Sequence, residues 1–233
     1  MKNSKEYAQK IKKLFTALKK DAGKIKKPEY GDPVEALIFA VVSETANEST
    51  TRSIIKKLGT NFVDRNDLRV SRAEEILEVV GGNAKQAEKI ARELTGLLNS
   101  VFNKYDRVSL SELGEDGKRA AKEILEKFAG ITNFICSYTM LTALEAHAIP
   151  INDKMFEYLK EYQLIDAKAT IEDTAAFLER QISAANAYIF YAVLRADAES
   201  SKPKANDLFT KATKKTTKKV AKKTAKKKTA KKK

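Results

Sequence analysis

The chain has 233 residues, 42% of them hydrophobic, and a formal net charge of +14. That is long enough for one sizeable domain or two small ones with a real core. It contains no apolar run of 18 residues or more, which argues against a membrane span, and its charged start, MKNSKEYAQK, reads as cytoplasmic, not as an export signal. A single cysteine, Cys136, rules out an intrachain disulfide and an all-cysteine metal site, and a lone histidine, His147, offers little to zinc or a His-based triad.

The charge is unevenly spread. Residues 202–233 hold 15 lysines and one acid, residues 1–27 hold ten lysines and two acids, and residues 28–201 carry 20 basic against 28 acidic groups. The body is therefore acidic at −8, between two cationic ends at +8 and +14.

In chain order, Tyr7, Ile11, Leu14, Phe15 and Leu18 recur at spacings of three and four and predict a basic amphipathic helix within residues 1–27 that packs on the body. Pro28, Gly31 and Pro33 end it and start another. VEALIFAVVSETA is apolar on nearly every side, as a central helix would be. Ser71-x-x-Glu74, Ser109-x-x-Glu112 and Thr170-x-x-Asp173 have capping-box spacing, and a Gly-Gly turn precedes the long amphipathic AKQAEKIARELTGLL. No segment alternates with period two over strand length, so we expect an all-α body of nine or ten helices over residues 28–201.

EKFAGITNFICSYTM places a Gly-bearing turn between two helical stretches. Ile124, Phe128, Gly130, Ile131, Ile135 and Cys136 fit apolar anchors around a helix-hairpin-helix, with Gly130, Ile131, Thr132 and Asn133 as the backbone grip for a DNA phosphate. A tight turn between helices would look similar. Thr132 stands where that pattern has a second glycine, and suits an N-cap.

Residues 202–233 form a low-complexity tail in which Lys214, Lys215, Lys218, Lys219, Lys222, Lys223, Lys226 and Lys227 pair at a spacing of four. Like charge at this density predicts disorder when free and sequence-independent binding to a polyanion; a solubilising role is the plain alternative.

Residues 34–198 resemble the helix-hairpin-helix DNA glycosylase superfamily in its endonuclease III branch. The resemblance rests on ALIFAVVSETANESTTRSIIKKL, VVGGNAKQAEKIARELTGLL, LEKFAGITNFICSYTMLTAL and IPINDKMFEYLKEYQL, in the family's order. It implies a two-lobed helical fold and base excision on double-stranded DNA, with the chain acting as a monomer. The family's catalytic aspartate falls on Asp153, which as a lone residue reads equally well as a helix cap. The family's lyase lysine falls on Phe134, which cannot form an imine; Lys154 is the nearest other amine. Its wedge glutamine falls on Thr45 or Asn47, and Tyr138 and Phe134 would lie near the pocket. The four cysteines of its iron–sulfur loop are absent, so no cofactor and no metal is expected. The resemblance thus implies a monofunctional glycosylase on nucleoid DNA. A non-catalytic DNA-binding scaffold is the competing reading, and a helical protein whose tail binds RNA or an acidic partner is a third.

Overall fold

The computed structural model describes residues 4–209; the tail lysines from Lys214 onward lie outside the described residues. No strand occurs among the described residues, which form twelve helices. The additional elements are short: α4 (Arg65–Val70), α5 (Ala73–Val80) and α12 (Ala205–Leu208).

The helices sort into two lobes. One is continuous in sequence and runs from α2 (Pro33–Thr45) through α3 (Glu48–Asn61), α4, α5, α6 (Ala84–Tyr105) and α7 (Lys118–Leu125) to α8 (Asn133–Thr142). The other joins the N-terminal α1 (Ser4–Asp21) to α9 (Asp153–Glu161), α10 (Ile171–Gln181) and α11 (Ala184–Glu199). Helix α8 is buried at eight of its ten positions because it packs on α2 within its own lobe and on α11 of the other. The expected α1 stripe is present: Ile11, Leu14 and Leu18 are buried against the second lobe.

Local chemistry explains the ends of the elements. Pro33 opens α2 behind Asp32, whose carboxylate accepts from the Val34 amide at 2.9 Å. Gly81 and Gly82 have φ of 64° and 77° and turn the chain into α6. Thr170 and Asp173 form the expected reciprocal cap.

The other two capping boxes need correction. At Ser71 the box lies one residue later: Arg72 is the N-cap residue and Glu75 accepts its amide, while the Ser71 hydroxyl turns back to the Asp67 carbonyl. Ser109 caps no helix. Its hydroxyl donates to the Asp32 carboxylate at 2.6 Å, and residues 111–116 form turns.

The expected tail begins later than Lys202. Ala205 is fully buried, the Lys204 and Ala205 amides donate to Asp197, and Tyr162 donates to Asn206 at 2.7 Å. Within residues 204–209, Lys204 also pairs with Asp21 at 3.0 Å and the Phe209 ring lies under the Lys13 ammonium, so this stretch is part of the body.

Candidate functional site

The hairpin between α7 and α8 is the first part of the site. Gly130 has φ of +81°, a left-handed conformation that L side chains avoid, and a Cβ built there would meet nothing within 4 Å. The glycine is thus required by the turn, and the space outside it is open. Behind it, the Ala129 amide donates to the Ser100 hydroxyl of α6 at 3.0 Å, which fixes the turn to the lobe. Thr132 is the N-cap of α8 and accepts from the Ile135 amide at 3.1 Å. The amides of Gly130, Thr132, Asn133 and Phe134 meet no protein acceptor among the described residues. The Asn133 side chain is held by Glu172 at 3.0 Å.

A cleft of about 260 Å³ between the lobes is the second part. Thr45, Asn47 and Gln86 line it from the first lobe, and Asn152 and Lys154 from the second. Asn47 caps α3 and accepts from the Thr50 amide at 2.8 Å, while the Gln86 amide donates to the Thr45 carbonyl at 2.9 Å. Both predicted wedge residues are therefore at the cleft, held on a short loop whose backbone is tied to α6.

Asp153 sits between the two second-lobe residues of the cleft, at the first position of α9. The cap of α9 is Asn152, whose side chain accepts from the Met155 amide at 3.0 Å. Capping is thus done by the preceding residue, and Asp153 is exposed with no hydrogen bond to the protein. Asn152→Ala should cost about 1 kcal/mol in chemical denaturation.

Asp153 faces a charged cluster that the sequence did not reveal. Lys89 lies 2.8 Å from Glu44 and 3.6 Å from Glu93 and feels Asp153 electrostatically. Burial opposes the Lys89 charge, but Glu44, Glu93 and Asp153 outweigh it and raise its pKa, so it remains an ammonium. Burial pushes Glu93 up to about 7 against the pull of Lys89, and its Oε2 finds no hydrogen-bond partner. Because the folded pKa is raised, Glu93 contributes stability that is full below about 4.5, its unfolded range, and lost as pH rises through about 7. Glu93→Gln should flatten that slope and be the more stable protein at pH 8, as thermal unfolding across pH would show.

The third part is an aromatic cluster. Phe134, at the family's lysine position, is buried, its ring stacked on Tyr138 at 6.2 Å and tilted by 52° against Tyr191 at 6.4 Å. Tyr138 lines a cavity of about 650 Å³ with Tyr30, Phe39, Tyr188 and Tyr191. Glu199 lines both this cavity and the cleft, and its Oε2 accepts the Glu48 amide at 3.0 Å. The two spaces therefore share a wall, which Arg195 holds from within α11. Its guanidinium donates to Glu199, to the Tyr191 hydroxyl, and to the Ser43 and Ala46 carbonyls at the end of α2. Thr45 lies between those two carbonyls.

The remaining candidates are structural. His147 Nε2 bonds the Ile182 carbonyl at 2.9 Å, and Cys136 is buried in α8, its thiol pushed up to about 11 by burial. An iron–sulfur cluster, which the fold family implies, does not fit this chain. Its only sulfur nucleophile is in the core, and the segment after α11 is filled by α12 and its bonds to Asp197 and Tyr162. No described helix is long and apolar enough to cross a membrane.

Two lobes, a glycine hairpin opening into a central helix, and an aspartate starting the next helix at the interlobe cleft define the fold of the helix-hairpin-helix DNA glycosylases, in its endonuclease III-like form. Comparison with solved structures shows the same fold. Endonuclease III, trapped as a covalent intermediate with DNA, superposes with a TM-score of 0.65 at 18% identity, over 84% of this chain and 90% of that one. A thermostable thymine-DNA glycosylase gives 0.61 at 16%, over 86% and 91%. The H. pylori 3-methyladenine DNA glycosylase bound to 1,N6-ethenoadenine gives 0.59 at 16%, over 81% and 94%. No family model and no curated protein sequence matches the chain.

Proposed function

We propose that this chain is a DNA N-glycosylase of the base-excision type that removes a base from double-stranded DNA without cutting the strand. The free hairpin amides of Gly130, Thr132 and Asn133 hold a phosphate at the N-terminus of α8, while the Ile131 amide is already given to the Phe128 carbonyl. Thr45 and Asn47 enter the gap that the extruded base leaves. Asp153 then stabilises the positive charge that develops on the sugar as the base departs, and orients the water that attacks it.

The observation that carries this reading is the division of labour at the start of α9. Asn152 takes the capping role, so the Asp153 carboxylate is left exposed between the cleft residues Asn152 and Lys154, with its charge felt by Lys89. No lyase step is assigned. Phe134 cannot form an imine, Lys89 is held as an ammonium between carboxylates, and Lys154 is the one amine lining the cleft among the described residues. The alternative is a DNA-binding scaffold or damage sensor on the same fold, which the phenylalanine at the lysine position favours.

The test is a panel of duplexes carrying uracil, an oxidised pyrimidine, an alkylpurine or a mismatch, each incubated with the protein and split for hot alkali. Breaks only after alkali are expected for one of them. Breaks without alkali would restore a lyase and direct attention to Lys154. Tight binding without product from any duplex would favour the scaffold.

A further inference from the structure

Helix α1 carries positive charge that its contacts with the body leave uncompensated. Between Ser4 and Asp21 stand six lysines and two acids, and both acids are taken: Glu6 pairs with Lys10 at 2.7 Å and Asp21 with Lys204 at 3.0 Å. Lys5, Lys12, Lys13, Lys19 and Lys20 are exposed and pair with no carboxylate among the described residues. They fall in two rows with a repeat of seven, Lys5–Lys12–Lys19 and Lys13–Lys20, on the side away from the buried Ile11, Leu14 and Leu18. Arg180, exposed near the end of α10 and also without an ion pair, faces Lys5 across a hollow of about 330 Å³ and extends the patch. The body from residue 28 to 201 is acidic at −8, so this face stands out against it.

The patch lies on the far side of the second lobe from the cleft and the hairpin. Three helices of that lobe meet the cleft or hairpin with one end: α9 with Asp153, α10 with Glu172, which holds Asn133, and α11 with Glu199. Helix α1 touches the other end of each. Lys10 donates to the Gln163 carbonyl beyond α9 at 3.3 Å, and Lys19 donates to Asn186 in the first turn of α11 at 3.1 Å. Lys5 and Ala8 meet Phe177, Arg180 and Gln181 in the last turns of α10. At about 1.5 Å per residue, these helices set the α1 face roughly 12–20 Å behind the cleft, so a straight duplex held there meets the opposite side of the lobe. Lysines offer point charges to phosphate and read no base. The α1 rings, Tyr7 and Phe15, pack into the core, which leaves no exposed ring for unpaired bases to stack on and favours a duplex over a single strand.

We propose that the outer face of α1 is a second duplex-binding surface, which grips the backbone of one DNA segment while the hairpin and cleft hold another, so that one chain bridges two duplexes. The first duplex rests on the DNA reading above; the second goes beyond it and requires no catalysis. Contact through lysine alone makes the second segment sequence-independent and strongly salt-sensitive.

The test mixes the full chain with a biotinylated duplex on beads and a second, fluorescent duplex, which the wild type should retain. Lys5→Glu/Lys12→Glu/Lys20→Glu should lower retention by about ten-fold or more and its slope against log salt by about 2.7, at roughly 0.9 per lost contact. Lys57→Glu/Lys104→Glu/Lys168→Glu makes the same charge change at exposed lysines elsewhere and should keep retention within about two-fold, since screened charges act locally. Thermal unfolding checks that both variants fold; if the α1 charge reversal unfolds, the matching Lys→Gln set carries the test. No retention by the wild type, equal retention by the folded α1 variant, or α1-dependent preference for a single-stranded RNA over the duplex overturns the proposal. A chain that bridges duplexes yet releases no base counts against the glycosylase reading alone. One that releases base and retains no second duplex counts against the α1 assignment alone.

Discussion

Arg195→Ala should lose about 3–5 kcal/mol of folding stability, a large share of the roughly 5–15 kcal/mol that holds a typical domain together. The Arg195 side chain is 3% exposed and is the hub of a network that is buried at Ser43 and Tyr191 and half-buried at Glu199. It ties α11 to the C-terminal end of α2 through two carbonyls, neutralises Glu199 and orients the Tyr191 hydroxyl. Alanine would leave a half-buried carboxylate with only the Glu48 amide, and a phenol and two carbonyls without this donor, each costing part of its desolvation penalty. Urea denaturation reads this as a fall in midpoint at constant slope. Arg195→Lys keeps the charge but not the planar fork, and should recover only part of the loss. The same variants should loosen the chain at Thr45, since Ser43 and Ala46 are the residues that Arg195 grips on either side of it.

Deleting residues 210–233 should remove most of the affinity for undamaged duplex at low salt, together with most of its salt dependence. Thirteen lysines and no acid lie in that segment, whereas the body between residues 28 and 201 is net negative. Each lysine that neutralises a phosphate releases counterions and contributes about 0.9 to the slope of log K against log salt. Were the eight paired lysines from Lys214 to Lys227 to engage, the intact protein would weaken by about 10³–10⁵-fold between roughly 50 and 200 mM salt. The truncated protein should show a slope smaller by about seven, as fluorescence anisotropy across a salt series would measure. An unchanged slope would assign the tail to something other than nucleic acid.

Much of the scaffold was legible because it is written locally. The α1 stripe, the Pro33 start of α2 and the Gly130 turn each depend on residues within one or two helical turns of each other. The capping boxes show the limit of that rule. Ser-x-x-Glu states which residues can pair, not where the chain enters a helix, and at Ser109 the carboxylate of Asp32, 77 residues earlier in sequence, took the hydroxyl. Asp153 was legible as a position but not as a role, since both aspartate and asparagine favour caps; only the structure assigns the cap to Asn152. The Glu44–Lys89–Glu93 cluster was not legible at all, and of the tyrosine cavity only Tyr138 was, through the resemblance. Tyr30, Phe39 and Tyr188 come from separated segments, and each alone reads as ordinary core.

The most direct measurement is single-turnover base release by Asp153→Asn, on whichever duplex of the panel the wild type processes, with duplex affinity measured in parallel. Asparagine keeps the shape and removes the charge, and since Asn152 remains the cap, the fold should be undisturbed. Removing a group that stabilises charge in the transition state should slow release by about 10²–10³-fold. Affinity for the duplex should be unchanged. Release at the wild-type rate from a folded Asp153→Asn protein would contradict the account and take the aspartate out of the chemistry.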